Sequence, residues 1–160
     1  MLYDLSCTEP DVAPALGAGR PFLAAPGRPA RPMVDVLLVE DDALVRECLG
    51  EVLGDAGWRV TEAAGAAVAL NLMTTYGMPG VLVTDMVLGG GMSGLALIAA
   101  ARLHWPGVRA VLVSGTDMAE PALDLGDRFL RKPFNVDILT RAVSKLAARQ
   151  DVAGLDHAIP

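Results

Sequence analysis

The feature that most constrains this chain is a regular alternation of short aliphatic runs with longer stretches of helical spacing. Runs rich in valine and leucine predict five buried strands, at Val34–Val39, Trp58–Ala63, Val81–Thr84, Arg109–Val113 and Arg128–Leu130. Apolar residues spaced at three and four positions predict helices at 43–56, 66–76, 94–104 and 136–149. Residues 117–125 leave room for at most a short helix. The pattern therefore predicts strands and helices in strict succession, joined by short connections.

Strands that alternate with helices predict an α/β fold with a doubly wound parallel sheet and helices on both faces. For five strands, the flavodoxin-like order 2-1-3-4-5 is favoured among the common arrangements. We expect one domain over residues 33–149. Residues 1–32 are rich in proline and glycine and predict a disordered tail. Met33 would be a sensible start codon, so this tail is not assumed to be native. Residues 150–160 are expected to form a second, flexible end.

Composition limits the classes of function. A hydrophobic fraction of 52% supports a real core, and a net charge of −6 argues against binding to nucleic acid. The two cysteines, Cys7 and Cys48, provide neither a disulfide framework nor metal-site spacing. No apolar run approaches the roughly 18 residues of a membrane span, and the amino terminus lacks the basic start of a secretory signal. The expected location is the cytoplasm.

Charged and hydroxyl side chains follow four of the predicted strands. Glu40 and Asp41 follow the first, Asp85 the third, Ser114 the fourth and Lys132 the fifth. Parallel strands bring these ends to one edge of the sheet, where ligands bind in open α/β folds. Converging carboxylates need a cation, and oxygen ligands with open positions suit Mg²⁺ or Mn²⁺. A lysine and a hydroxyl beside them could hold phosphoryl oxygens, so the set predicts phosphoryl-transfer chemistry.

Each of these residues alone also has an ordinary structural interpretation. Asp42 is a natural cap for the following helix, and Asp85 could cap the next one. Ser114 could be a turn residue and Lys132 a solvated surface lysine. Only two lysines occur in the chain, however, and one falls at this edge. Coincidence at four strand ends is less plausible than a site.

Four segments carry a resemblance to a known family. Residues 36–42 (VLLVEDD), 81–85 (VLVTD), 111–115 (VLVSG) and 129–134 (FLRKPF) resemble the signatures of the receiver domain of two-component response regulators. The resemblance covers about residues 34–148, with the segments in the family's order and at nearly its spacing. It implies a phosphorylation-switched signalling module rather than an enzyme with turnover.

The resemblance implies a role for each matching residue. Asp85 corresponds to the phosphoacceptor, with Lys132 and Ser114 as its catalytic partners. The implied site for Mg²⁺, or for Mn²⁺, consists of Glu40, Asp41, Asp85 and the backbone carbonyl of Val87. In the family the residue that matches Asp41 binds the metal directly, and the one that matches Glu40 usually acts through metal-bound water. Ser114 and Phe129 correspond to the switch hydroxyl and the switch aromatic residue. The family commonly has a cis bond before the residue that matches Pro133.

Two departures from the family pattern are visible. The loop 88–94 is one residue longer than the commonest form, and Gly89 replaces its usual proline, which predicts added freedom beside the metal. The segment between Ser114 and Lys132 is several residues short. We therefore expect a truncated or irregular fourth helix, which puts in doubt any output that uses that helix as a dimer face.

The resulting hypothesis is a stand-alone receiver, a monomer or weak dimer, that takes a phosphoryl group from a sensor histidine kinase or a histidine phosphotransfer protein. Leu44 and Cys48 lie to one side of the buried stripe of the first helix and predict a small apolar docking patch; packing under the neighbouring loop is the alternative. A hydrolase with a strand-end aspartate is disfavoured because it would need a second aspartate where Val87 stands. A degenerate receiver acting as a binding scaffold is the other alternative.

Overall fold

The structure, a computed structural model, describes residues 35–115, 121, 123, 124 and 126–153, with the side chains of 149–153 left aside. Its elements, in chain order, are β1 (Val36–Val39), α1 (Ala43–Asp55), β2 (Val60–Ala63), α2 (Ala66–Tyr76), β3 (Val81–Asp85), α3 (Gly94–His104), β4 (Ala110–Ser114), β5 (Arg128–Arg131) and α4 (Val136–Ala153). All strand pairs are parallel, and the sheet order is β2-β1-β3-β4-β5. The predicted fold class and strand order are confirmed.

The sheet separates two aliphatic cores, because successive strand residues point to opposite faces. Leu37 and Val39 of β1 face a cluster completed by α2 and α3. Val36 and Leu38 face the other cluster, which α1 and α4 complete. Both faces of β1 are therefore buried, which explains why it reads as a continuous apolar run rather than an alternating one.

Most element boundaries agree with the sequence prediction, and the differences have local causes. β2 begins at Val60 rather than at Trp58, because the Trp58 N–H donates to the Leu53 carbonyl at 3.1 Å and so belongs to the turn after α1. That turn contains Gly57, whose φ of 90° suits glycine.

The last helix runs to Ala153, four residues beyond the end predicted at Arg149, so the segment expected to be loose is helical at its start. Residues 150–153 contain neither proline nor glycine, and the first breaker in the sequence is Gly154. The expected tail at residues 1–32 lies outside the described residues. So does most of 117–125, of which Pro121, Leu123 and Asp124 are described and none is helical.

Arg102 of α3 fixes the short connection into β5. Its guanidinium donates to the Val108 carbonyl at 3.0 and 3.2 Å, to Asp127 at 2.7 Å and to Asp124 at 2.7 Å. Asp127 is buried and also accepts the Ala110 N–H at 2.9 Å. This ion cluster, which we call the Arg102 clamp, ties the segment before β5 to the amino end of β4. It lies at the edge of the sheet opposite the predicted site.

Candidate functional site: an acidic pocket at the carboxyl ends of the strands

Three charged side chains meet at the carboxyl edge of the sheet. The ammonium nitrogen of Lys132, just after β5, lies 3.0 Å from Glu40 Oε2 and also binds Asp85 Oδ2. Glu40 follows β1 and Asp85 ends β3, which neighbours β1 in the sheet. One cationic group therefore contacts two carboxylates that are 45 residues apart in the chain. The strand-end convergence of these three residues agrees with the sequence prediction.

Burial disfavours the charged forms of these three side chains. The exposed fraction of the side chain is 5% for Glu40, 12% for Asp85 and 29% for Lys132. Burial raises the pKa of Glu40 above its usual value, an effect that the Lys132 ammonium opposes. Burial alone would lower the pKa of Lys132, but its hydrogen bonds to Asp85 and Glu40 outweigh that effect and raise it. Lys132 is therefore held in its charged form between the carboxylates.

The three consecutive acids after β1 have three different partners. Glu40 binds Lys132, whereas Asp41 Oδ2 accepts the Gly89 N–H at 3.1 Å from the loop after β3. Asp42 caps α1, because its Oδ1 accepts the N–H groups of Leu44 and Val45 at 2.9 and 3.1 Å. The ordinary interpretation of Asp42 as a helix cap is thus the one observed.

The donor set at this edge fits a divalent cation. In the part of the chain that the structure describes, no three acidic, histidine or cysteine side chains are close enough to hold a metal as they stand. Two carboxylates nevertheless share a single cationic partner in Lys132, so they are within reach of one cation. Val87 lies two residues after Asp85, and its N–H donates to Asp85 Oδ1 at 3.1 Å. Carboxylate and carbonyl oxygens of this kind suit Mg²⁺.

The two predicted switch residues lie on neighbouring strands. Ser114 is fully buried at the end of β4, and its carbonyl accepts the Lys132 N–H at 2.7 Å. Phe129 of β5 is half-buried and packs against the core cluster beneath α2 and α3. The Lys132–Pro133 bond is cis. The paired strands β4 and β5 thus connect Ser114 and Phe129 to the pocket.

Both residues predicted for partner docking lie on the surface of α1. The exposed fraction of Leu44 is 78%, and Cys48 is also exposed. Leu44 is the second residue of the helix that begins after the acids. The structure therefore does not bury Leu44 under a neighbouring loop.

Sequence reasoning missed three contacts around the pocket. The buried Thr84 hydroxyl donates to the Asp85 carbonyl at 3.0 Å. Gly89 supplies the N–H that Asp41 accepts, a donor that a proline would lack. Arg46 of α1 donates to the Glu40 carbonyl at 2.8 Å. The signals were a strand-end hydroxyl, a glycine in place of proline and a single basic residue in α1; none of them predicts a particular partner.

No helix among the described residues combines the length and the apolar character that crossing a membrane would need.

The match to a family model assigns the chain to one family, and several relatives support the assignment. The family model described as response regulator receiver domain matches residues 36–144. An NtrX-like response regulator of Rickettsia bellii is 26% identical over 111 residues, which are 67% of this chain and 23% of that protein. The sporulation initiation phosphotransferase F of Bacillus subtilis is 27% identical over 114 residues, 69% of this chain and 90% of that protein.

A solved structure gives the same result. The response regulator TrrA of Thermotoga maritima, crystallised in complex with Mg²⁺ and BeF, is 27% identical and superposes with a TM-score of 0.63, covering 71% of this chain and 99% of that one. The chain spans about a quarter of the length of the NtrX-like relatives. The matched residues contain all five strands and the first half of α4, and they include Glu40, Asp85 and Lys132. The chain therefore belongs to the response regulator receiver domains, the phosphoacceptor modules of two-component signalling.

Proposed function

We propose that Asp85 accepts a phosphoryl group from a phosphohistidine, carried by a sensor histidine kinase or a histidine phosphotransfer protein. The observation that carries the proposal is the position of Lys132, whose ammonium contacts both Asp85 and Glu40 in a mostly buried pocket. A carboxylate at a strand end, partly exposed and beside a fixed cation, is suited to bind and hold a phosphoryl group. The TrrA complex supports the proposal, since that relative was crystallised with Mg²⁺ and BeF.

In the proposed step an oxygen of Asp85 forms a bond to phosphorus while the bond between phosphorus and the histidine nitrogen breaks. The electron pair of the broken bond stays on the imidazole, which leaves with the partner. Mg²⁺, or Mn²⁺, would be held by Glu40, Asp41, Asp85 and the Val87 carbonyl and would neutralise charge on the phosphoryl oxygens. Lys132 would pair with one phosphoryl oxygen.

Ser114 would respond to the new group through its hydroxyl, a donor at the end of the neighbouring strand β4. A phosphoryl group adds roughly −1.5 to −2 charge and strong acceptor oxygens. The domain would promote its own phosphorylation and hydrolysis without acting as a turnover enzyme. The proposed place of action is the cytoplasm, which fractionation of cells would test.

Labelling with acetyl phosphate tests the acceptor directly. The protein is incubated with acetyl phosphate and Mg²⁺, and intact mass spectrometry measures the gain of one phosphoryl group. Wild type should gain it, Asp85→Asn should not, and chelation of Mg²⁺ should prevent it. Asp42→Asn is the matched control, since asparagine keeps the helix cap and the change affects an acid outside the pocket.

A wild-type protein that is folded, binds Mg²⁺ and gains no mass would contradict the proposal. That result would favour the binding-scaffold alternative instead. Equal labelling of wild type and Asp85→Asn would assign the acceptor to another residue.

A further inference from the structure

Arg46 connects the acid-bearing turn after β1 to the neighbouring strand. Its Nη1 donates to the Glu40 carbonyl at 2.8 Å and lies 3.5 Å from the Asp41 carbonyl. Its Nε lies 3.6 Å from Glu62 Oε2 on β2. Its side chain is 19% exposed, and it is the only basic residue in α1. We propose that Arg46 is a positioning residue that orients Glu40 and Asp41 for the divalent cation, an inference that rests on the proposed function.

The reason lies in the backbone at the end of β1. The Glu40 N–H donates to the Ala63 carbonyl at 3.2 Å, and after it the chain leaves the sheet. The peptide between Glu40 and Asp41 carries both acids, so its orientation sets the direction of both side chains. Arg46 holds the carbonyl of that peptide from the side of α1. A turn ordered in advance binds a cation without the entropic cost of ordering it during binding.

Glu62 completes the arrangement by holding the guanidinium from β2. This carboxylate packs against Gly50 of α1, where a side-chain carbon would collide with Glu62 Oε1. Gly50→Ala would therefore displace the Glu62 carboxylate without changing any charge and without altering Glu40 or Asp41. Alanine also has a higher helix propensity than glycine, so this change does not weaken α1 by itself.

Charge and positioning predict opposite effects when Arg46 is removed. The guanidinium is a positive charge beside the acids, and its loss would strengthen Mg²⁺ binding through electrostatics alone. Loss of positioning would weaken binding. The sign of the change in affinity therefore distinguishes a positioning residue from a merely nearby charge.

The test measures the Mg²⁺ dissociation constant of the metal-free protein by isothermal titration calorimetry, with the melting temperature of each variant alongside. Arg46→Gln should bind Mg²⁺ about tenfold more weakly, which is the low end of the loss in affinity seen when groups that orient metal ligands are removed. Arg46→Lys should recover part of the affinity, because it keeps the charge but reaches fewer acceptors. The matched control is Arg59→Gln, since Arg59 binds the Asp35 carboxylate at 2.9 Å at the other end of β1.

Arg59→Gln removes the same charge and should leave the dissociation constant within about twofold, a change below the 1.4 kcal/mol that a tenfold effect requires. Tight Mg²⁺ binding by both wild type and Arg46→Gln would overturn the inference while leaving the proposed function intact. Failure of wild type to bind Mg²⁺ would instead overturn the proposed function. If Arg46→Gln does not fold, Gly50→Ala decides: weaker Mg²⁺ binding without a lower melting temperature supports the inference, and unchanged binding overturns it.

Discussion

At the scale of single residues, the pocket is defined by one ammonium shared between two carboxylates. Lys132 binds Glu40 and Asp85, which are both mostly buried. Without Lys132, two like charges would face one another in a poorly solvated site. Its first role is therefore to make the pocket compatible with folding in the absence of metal, and its pairing with a phosphoryl oxygen would come in addition.

Lys132→Met should lower the free energy of unfolding of the metal-free protein by about 1–3 kcal/mol at neutral pH, the cost of leaving partly buried charged groups unpaired. Urea unfolding measures this loss. Lys145→Met removes the other lysine of the chain, which is exposed on α4, and should have little effect. Equal losses in the two variants would contradict the role assigned to Lys132.

The free energy of unfolding that Lys132→Met loses should depend on pH in a defined direction. Because the pKa of Glu40 is raised in the folded state, the folded protein binds this proton more tightly than the unfolded chain does. The stability that this proton contributes is fully present below pH 4.5, the usual pKa of a glutamate, and it is lost as the pH rises through the raised pKa. Lys132 lowers the pKa of Glu40 and so opposes the effect of burial. Lys132→Met should therefore lose more stability than wild type as the pH increases from 4.5 to neutral.

Phe129 should respond to phosphorylation of Asp85, although β4 separates their strands, β5 and β3, in the sheet. It lies on β5 opposite Leu112 of β4, two residues before Ser114. A shift of the Ser114 hydroxyl toward the new phosphoryl group would alter the space beside this half-buried ring. Addition of beryllofluoride and Mg²⁺ should therefore change the NMR resonances of the Phe129 ring, and Asp85→Asn should abolish the change. Identical spectra in wild type would exclude this coupling.

At the scale of elements, the acid run after β1 shows what sequence can and cannot predict. The strand, the helix after it and the convergence of strand ends follow from aliphatic runs and helical spacing. α2 and α3 have the predicted bounds because glycine, proline and serine punctuate their ends. The partners of Glu40 and Asp41 do not follow from the sequence pattern, because Lys132 and Gly89 are distant in the chain. Asp42 caps the adjacent helix, which the pattern does predict.

The bond between Gly89 and Asp41 gives a test at this scale. It joins residues 48 positions apart and fixes the loop after β3 against the turn after β1. The Gly89 amide should be protected from hydrogen exchange in the metal-free protein, and Asp41→Ala should speed its exchange while the amides of β3 stay protected. NMR-detected exchange measures both. A Gly89 amide that exchanges equally fast in the two proteins would refute the contact.

The amino-terminal end of α1 is the proposed docking surface for the phosphohistidine partner. Leu44 is 78% exposed beside the acids, so Leu44→Asp should cost little stability. We expect it to slow phosphoryl transfer from the partner while leaving labelling by acetyl phosphate unchanged. Val68→Asp, at an exposed position of α2, is a matched control that should affect neither route. If Leu44→Asp changes neither rate, the docking surface lies elsewhere.

At the scale of the whole molecule, we expect the pocket to couple metal binding to folding. The unfolded chain has no assembled carboxylate site, so Mg²⁺ should bind the folded state selectively. At about 100 times its dissociation constant the ion would add about 2.7 kcal/mol to the free energy of unfolding. Calorimetry should show a melting temperature that rises with Mg²⁺ concentration, by less in Asp85→Asn. An unchanged melting temperature in millimolar Mg²⁺ would contradict the site.

The Arg102 clamp has a consequence for how substitutions combine. It joins β4 and β5 at their amino ends, whereas Ser114 and Lys132 lie at the carboxyl ends. Four residue steps along β4 separate the ends by roughly 13 Å, a distance at which the free energies of separate mutations usually add to within about 0.3–0.5 kcal/mol. Substitutions in the clamp and in the pocket should therefore be independent, so that stability lost or gained at one edge can be combined with changes in signalling at the other.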